Sequence, residues 1–222
     1  MLDTAFPRIP GDIGNPSTFP FPVRYRVVEG ASPRRVVHEA DPGLVEPFKQ
    51  AARSLEKQGS KAIATSCGFL AVFQQDLADA VDIPVFSSSL MQIHSAHRAL
   101  NGRRKVGVLT ADAGALTERH FSGVGAGAIP VVVLGMEEAE EFTEVFIGGK
   151  PSIDIAKVGR EMVRAAEKIA ELHPEIGALV LECTNMPPYA RAVQEVLNIP
   201  VFDVVTMICQ VHAALKPRAF PG

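Results

Sequence analysis

Lys61-Ala-Ile-Ala-Thr-Ser-Cys67 and Gly177-Ala-Leu-Val-Leu-Glu-Cys183 lie 116 residues apart, and the same offset places Ile83-Pro-Val-Phe86 on Ile199-Pro-Val-Phe202 without a gap and Met91 on Met207. Each copy reads as an apolar strand, a cysteine, a helix and a short strand opening with Pro. That is a βαβ unit with its cysteine at the strand-to-helix turn. Two copies predict two similar lobes related by a pseudo-two-fold axis. Ligands of open α/β sheets bind beyond the carboxyl ends of the strands, so both cysteines fall where a substrate would sit.

Outward from these units, short β-branched runs alternate with longer helical stretches, the pattern of a mainly parallel sheet with crossover helices. Strands are expected at Val23–Val28, Lys61–Ser66, Pro84–Phe86, Lys105–Thr110, Pro130–Leu134, Ala178–Glu182 and Pro200–Asp203. Helices are expected at Leu44–Lys57, Ala71–Ala80, Ser89–Leu100, Ala115–Phe121, Glu137–Phe146, Ser152–Leu172, Pro188–Leu197 and Val204–Leu215. The clearest is the stretch capped by Ser152, where Ile155, Val158, Met162, Ala166, Ile169 and Leu172 recur at helical spacing. The fold class is α/β. The first 22 residues carry Pro7, Pro10, Pro16, Pro20 and Pro22, which preclude a regular helix or a central strand. Phe6, Ile9, Ile13, Phe19 and Phe21 give this segment something to bury, and it reads as a loop packed over the pocket.

The composition narrows the function. With 22 basic against 25 acidic residues in 222 and a formal charge of −3, the chain has no basic footprint for nucleic acid or an anionic membrane. No run approaches the roughly 20 apolar residues of a membrane span, and the opening residues lack the basic and apolar regions of a signal peptide, so a cytoplasmic location is expected. Three cysteines are too few for a disulfide framework, and no Cys-x-x-Cys or His-x-x-x-His pair points to a metal.

Free cysteine is usually a small buried hydrophobe. That suits Cys209, which the repeat aligns with Ile93. Cys67 and Cys183 differ, because each ends an apolar strand and is followed by turn and cap residues, Gly68 or Thr184-Asn185. A helix N-terminus lowers a thiol pKa, so thiolates are expected near neutral pH. Facing each other across a cleft, one sulfur serves as thiolate base and the other as thiol acid on opposite sides of one carbon, which is two-base proton transfer with inversion. This chemistry requires neither pyridoxal phosphate nor a metal, and no cofactor is expected. Ser87, Ser88 and Ser89 fit a helix cap as well as a substrate contact. Thr110 ends a strand in the presumed cleft. His94 and His97 read as solvated helix residues, Arg8 as a surface residue able to pair with a carboxylate, and the acids from Glu137 to Glu141 as favoured by a helix start.

Thr65-Ser-Cys-Gly-Phe69 and Glu182-Cys-Thr-Asn-Met-Pro-Pro-Tyr189 resemble the two cysteine motifs of the aspartate/glutamate racemase superfamily, which also holds hydantoin racemases, maleate isomerases and arylmalonate decarboxylases. Val106-Gly-Val-Leu-Thr110 is similar to the strand that opens that family's second lobe. The resemblance implies two Rossmann-like lobes with the active site between them. The first would be residues 1–100 joined by a C-terminal helix over 204–222, and the second residues 101–203. It implies a racemase or epimerase of a small amino acid or related carboxylate, independent of pyridoxal phosphate, with Cys67 and Cys183 catalytic. Asp12, Asn15, Ser66, Gly68, Phe69, Thr110, Thr184 and Asn185 would bind the substrate. Gly68 and Phe69 stand where amino-acid racemases carry Asn and Thr, and Asn185 where they carry His or Glu, which weighs against glutamate or aspartate itself. Retention of both cysteines argues against the decarboxylase branch. A hydantoin racemase, a maleate-type cis-trans isomerase and a non-catalytic small-molecule binding module are the alternatives. The expected partner is a small carboxylate or amide, with neither nucleic acid nor membrane, and assembly into a homo-oligomer stays open.

Overall fold

The structure is a computed structural model that describes residues 1–219. Its larger sheet is parallel in the order β4-β3-β5-β6, from β3 (Lys105–Thr110), β4 (Val131–Gly135), β5 (Ile176–Leu181) and β6 (Val201–Phe202). A second parallel pair joins β1 (Ile63–Ala64) to β2 (Val85–Phe86). The central strands β3 and β5 bury Val106, Val108, Leu109, Leu179, Val180 and Leu181, the continuous apolar run of a parallel strand covered on both faces. Leu109 registers with Leu181, so Thr110, the last residue of β3, and Glu182, the first beyond β5, come side by side.

The helices are α1 (Val45–Lys57), α2 (Gln74–Ala78), α3 (Ile93–Ala99), α4 (Glu118–Gly123), α5 (Glu140–Phe146), α6 (Ile155–Leu172), α7 (Ala190–Leu197) and α8 (Val204–Leu215). On α6 the buried residues Val158, Met162, Ala166 and Ile169 keep the expected spacing. Its cap is Asp154 rather than Ser152, because the Asp154 carboxylate accepts from the Lys157 N–H at 2.9 Å. Asp203 and Thr206 cap α8 reciprocally. Among the described residues no helix is long and apolar enough to cross a membrane.

Several boundaries differ from the sequence expectation. Val23–Val28 is extended but forms no strand; its only ladder-like bonds run to Met1, from Val28 N–H and to the Arg26 carbonyl. The stretches expected as helices from Ala71, Ser89 and Pro188 are each entered through a 3₁₀ turn, at Gly68–Phe73, Ser89–Gln92 and Pro187–Tyr189. In the last case two prolines lack the N–H groups an α-turn needs. The helix expected from Ala115 starts at Glu118, where Thr117 and His120 form the cap. The helix expected from Glu137 starts at Glu140, its Glu141 and Phe142 N–H groups held by the Glu161 carboxylate. A π-turn at Arg34–His38 had no expected counterpart. The C-terminal helix ends at Leu215, as the apolar pattern expects and short of the 204–222 implied by the resemblance, of which residues 220–222 lie outside the described residues.

Candidate active site

The two cysteine turns meet. Cys67 sits in extended conformation (φ −155°, ψ 122°) just before the Gly68–Phe73 turn and is 9% exposed, while Cys183 follows β5 and is half-buried. Both line one narrow cavity of about 20 Å³, together with Phe6, Arg8, Phe69, Phe146 and Glu182. That is room for about one water molecule, so the structure is closed around the thiols. The N-terminal segment supplies one wall through Leu2, Thr4, Phe6 and Arg8, the first residues of the loop expected over the pocket.

The contacts between the turns obey the repeat. The Thr184 hydroxyl donates to the Ser66 carbonyl at 2.7 Å, while a Cβ on Gly68 would overlap the Glu182 carbonyl and, beside it, Oε1. Under the 116-residue offset Gly68 corresponds to Thr184 and Ser66 to Glu182, so these are the same contact seen twice across the pseudo-two-fold axis. One copy pairs a small residue, Ser66, with a larger one, Thr184. The other pairs a large residue, Glu182, with the only side chain small enough to face it.

Around this centre the polar groups are tightly specified. The Arg8 side chain, 16% exposed, donates to Asp12 Oδ1 at 3.0 Å and to the Thr4 hydroxyl at 2.8 Å, and its guanidinium lies 4.3 Å from the Phe6 ring centre. Asn185 Nδ2 donates to the other Asp12 oxygen at 2.6 Å, and the Cys183 thiol donates to Asn185 Oδ1 at 3.5 Å. Glu182 is fully buried, and its Oε2 accepts from the Thr110 hydroxyl at 2.9 Å. Oε1 has no hydrogen-bond partner among the described residues.

Burial is the dominant influence on the two thiols and on Glu182. It pushes both thiols up, and the neighbouring Glu182 charge pushes them further. Burial also raises the Glu182 carboxyl to about 7, against the lowering effect of its bonds from Thr110 and the Ala111 N–H. The closed site therefore disfavours the thiolates expected at neutral pH: desolvation and a carboxylate beside the sulfurs oppose the turn dipoles. Nor does a helix begin at Cys183, where the chain turns through Pro187–Tyr189 before α7.

Of the residues singled out in the sequence, Ser66, Cys67, Phe69, Cys183, Thr184 and Asn185 all line the cavity. Gly68 packs against Glu182, Thr110 bonds it, and Asp12 reaches the cavity wall through Arg8 and Asn185. Asn15 does not join them; its side chain caps the Pro16–Thr18 turn and donates to the Arg8 carbonyl. Ser88 caps its turn and Ser89 donates to the Leu181 carbonyl, so both are structural. Cys209 is half-buried at the edge of a small cluster around Val204 and Met207. The reading from sequence missed Glu182 and left Arg8 on the surface. A charged residue ending the run Ala-Leu-Val-Leu-Glu was the available signal for Glu182. A roomier groove of about 420 Å³, lined by Phe19, Phe21, Tyr25, Phe86 and Ile208, holds neither thiol.

Residues 30–211 match the Asp/Glu/Hydantoin racemase family. A dimethylsulfoniopropionate lyase of Durusdinium sp. clade D is 32% identical over 211 residues, covering 92% of this chain and 69% of that protein. Dimethylsulfoniopropionate lyase 5 of Emiliania huxleyi is 30% identical over 96% of this chain, which spans only 44% of its length. Among solved structures, the Gly74Cys mutant of arylmalonate decarboxylase superposes over the whole chain and 94% of its own length with a TM-score of 0.62 at 20% identity. Picrophilus torridus aspartate racemase covers 90% of this chain and 82% of its own with a TM-score of 0.58 at 16% identity, a likeness of fold. The two-lobed fold, the duplicated cysteine turns and this match over most of the sequence agree: the chain belongs to the Asp/Glu/Hydantoin racemase family.

Proposed function

We propose that the chain removes a proton from the carbon beside the carboxylate of a small acid with a cysteine thiolate, and that its leading reaction is elimination from dimethylsulfoniopropionate. The observation that carries the reading is the cavity itself, in which Cys67 and Cys183 share walls with one arginine and three aromatic rings. Arg8 suits the carboxylate, since its guanidinium can offer charge-assisted hydrogen bonds to it from the donors that Asp12 and Thr4 do not occupy. Phe6, Phe69, Phe146 and the Glu182 carboxylate suit a sulfonium, because ring faces and anions both attract a poorly hydrated cation. Thiolate takes the proton from the carbon next to the carboxylate. The C–H electron pair becomes the new carbon–carbon double bond, the carbon–sulfur bond breaks, and its pair leaves with dimethyl sulfide, so acrylate and a protonated thiol remain. The relatives named dimethylsulfoniopropionate lyases support this outcome.

Racemisation or epimerisation of a small amino acid or related carboxylate is the second reading, and the matched cysteines favour it: with one thiol on each face, the proton removed from one side is replaced from the other. In both readings the cleft lies between a lobe of residues 1–100 with the C-terminal helix and a lobe of 101–203. Because the closed cavity admits about one water, the Leu2–Arg8 wall moves to admit substrate. The test supplies dimethylsulfoniopropionate and measures dimethyl sulfide in the headspace with acrylate in solution. Equimolar release, lost on replacing the thiols, supports the lyase. Failure to release it, with inversion and deuterium uptake in a panel of amino acids, hydantoins and 2-substituted carboxylates, supports the racemase. Absence of both overturns the thiolate reading.

A further inference from the structure

Glu182 is a titratable group that the proposed chemistry leaves without a task beyond attracting a cation. It is fully buried, it borders the same cavity as both sulfurs, and its Oε1 is unpaired among the described residues. The room for that oxygen comes from Gly68, since any Cβ there would overlap it. The structure thus reserves space for a carboxyl oxygen beside two thiols and supplies no donor to it other than what the cavity holds.

The charged groups nearby are few. Cys67 faces Glu182, Arg8 and the amino group of Met1, and Cys183 faces Glu182, Cys67 and Asp12. Arg8 is already matched by Asp12. The Cys183 thiol acts as a donor to Asn185, which requires it to be protonated in the closed state. A narrow, buried cavity with this inventory tolerates one negative charge, and placing a second beside it is disfavoured by both desolvation and repulsion.

We propose that Glu182 is a positioning residue that holds this single negative charge at rest and exchanges it with Cys67 or Cys183 by moving one proton. In the exchange a thiol S–H bond breaks, the proton passes through a water of the size the cavity admits and forms an O–H bond on the Glu182 carboxylate, and the charge passes to sulfur. The proposal rests on a thiolate being the working base, and its test uses no substrate, so its failure is separable from failure of the lyase or racemase reading.

The test is the pH profile of iodoacetamide alkylation at each cysteine of the intact chain, followed by mass spectrometry, with Cys209 as the internal reference. When a carboxyl and a thiol share one proton, thiolate content rises about tenfold per pH unit until the carboxyl has titrated and then levels off. The wild-type profile at Cys67 or Cys183 is therefore expected to bend near pH 7, where Glu182 titrates. In Glu182→Gln the bend is lost and the rate keeps rising about tenfold per unit, to about 100-fold above wild type by pH 9. Thr110→Val, which removes the donor to Oε2, moves the wild-type bend to higher pH, and it reads the same coupling should Glu182→Gln not fold. Parallel profiles for wild type and Glu182→Gln, or a bend that Thr110→Val leaves in place, overturn the proposal.

Discussion

The two copies of the cysteine turn share a backbone plan and differ in what flanks the sulfur. The first, Ser66-Cys67-Gly68, follows a two-residue strand of the smaller sheet, and its cysteine is almost wholly enclosed. The second, Glu182-Cys183-Thr184, leaves the centre of the four-stranded sheet, and its thiol is half-buried and hydrogen-bonded to Asn185. Duplication explains why two sulfurs reach one cavity. The exchange of Ser66 for Glu182 and of Thr184 for Gly68 explains why they are not equivalent there: the carboxylate belongs to one copy and the space for it to the other.

The largest expected effect tests whether the two thiols do one job or two. Elimination needs a single base, so with dimethylsulfoniopropionate the more accessible Cys183 is expected to carry it. Cys183→Ser should lower kcat/KM by about 10²–10⁴-fold and Cys67→Ser by much less. Racemisation needs both, and there each variant should abolish interconversion while keeping slow deuterium exchange of opposite enantiomers, read by exchange and optical rotation together in D2O. Equal losses in elimination would make the copies functionally alike and break the comparison.

A second effect isolates the carboxylate that only one copy has. Burial raises the folded-state Glu182 carboxyl from an ordinary 4.5 to about 7, so the folded state binds its proton more tightly than the unfolded chain does. Its contribution to stability is full below about pH 4.5 and falls as the pH rises toward 7, by about 3 kcal/mol over that window. Urea unfolding of wild type against Glu182→Gln at both ends of the window measures it. A difference that stays constant with pH would show that Glu182 titrates normally.

The last two predictions perturb the symmetry-related contacts one at a time. Gly68→Ala places a Cβ against Glu182 Oε1 and the Glu182 carbonyl, and overpacking of this kind costs about 1–3 kcal/mol in urea unfolding. Thr184→Val keeps the shape and removes the hydroxyl that donates to the Ser66 carbonyl, a loss of about 1 kcal/mol. Gly68→Ala should also change the alkylation profile of the thiols, because it displaces the carboxylate, whereas Thr184→Val should leave the bend in place. Identical behaviour of the two variants would mean that the flanking differences carry no chemistry.

What the sequence determined by itself is whatever repeats or alternates along the chain. The 116-residue offset located both cysteines, and the period of the apolar residues found β3 and α8 at their observed bounds and α6 to within three residues. These features are local, because a parallel strand buried on both faces and a one-sided helix write their environment into consecutive residues. Tertiary structure decided what depends on neighbours far away in the chain. Val23–Val28 has strand-like residues but no adjacent strand to complete a ladder, so it forms no strand and bonds only Met1 in ladder fashion. Arg8 reads as a surface residue of a proline-rich loop, and only folding brings Phe6 and Asp12 around it. Glu182 reads as the hydrophilic end of a strand. Its burial, its raised titration and its place beside both thiols follow from Gly68, which is 114 positions earlier and empty of side chain where the carboxyl oxygen lies. A pKa is set by solvation and by charges within a few ångströms, and sequence order does not encode which residues those are.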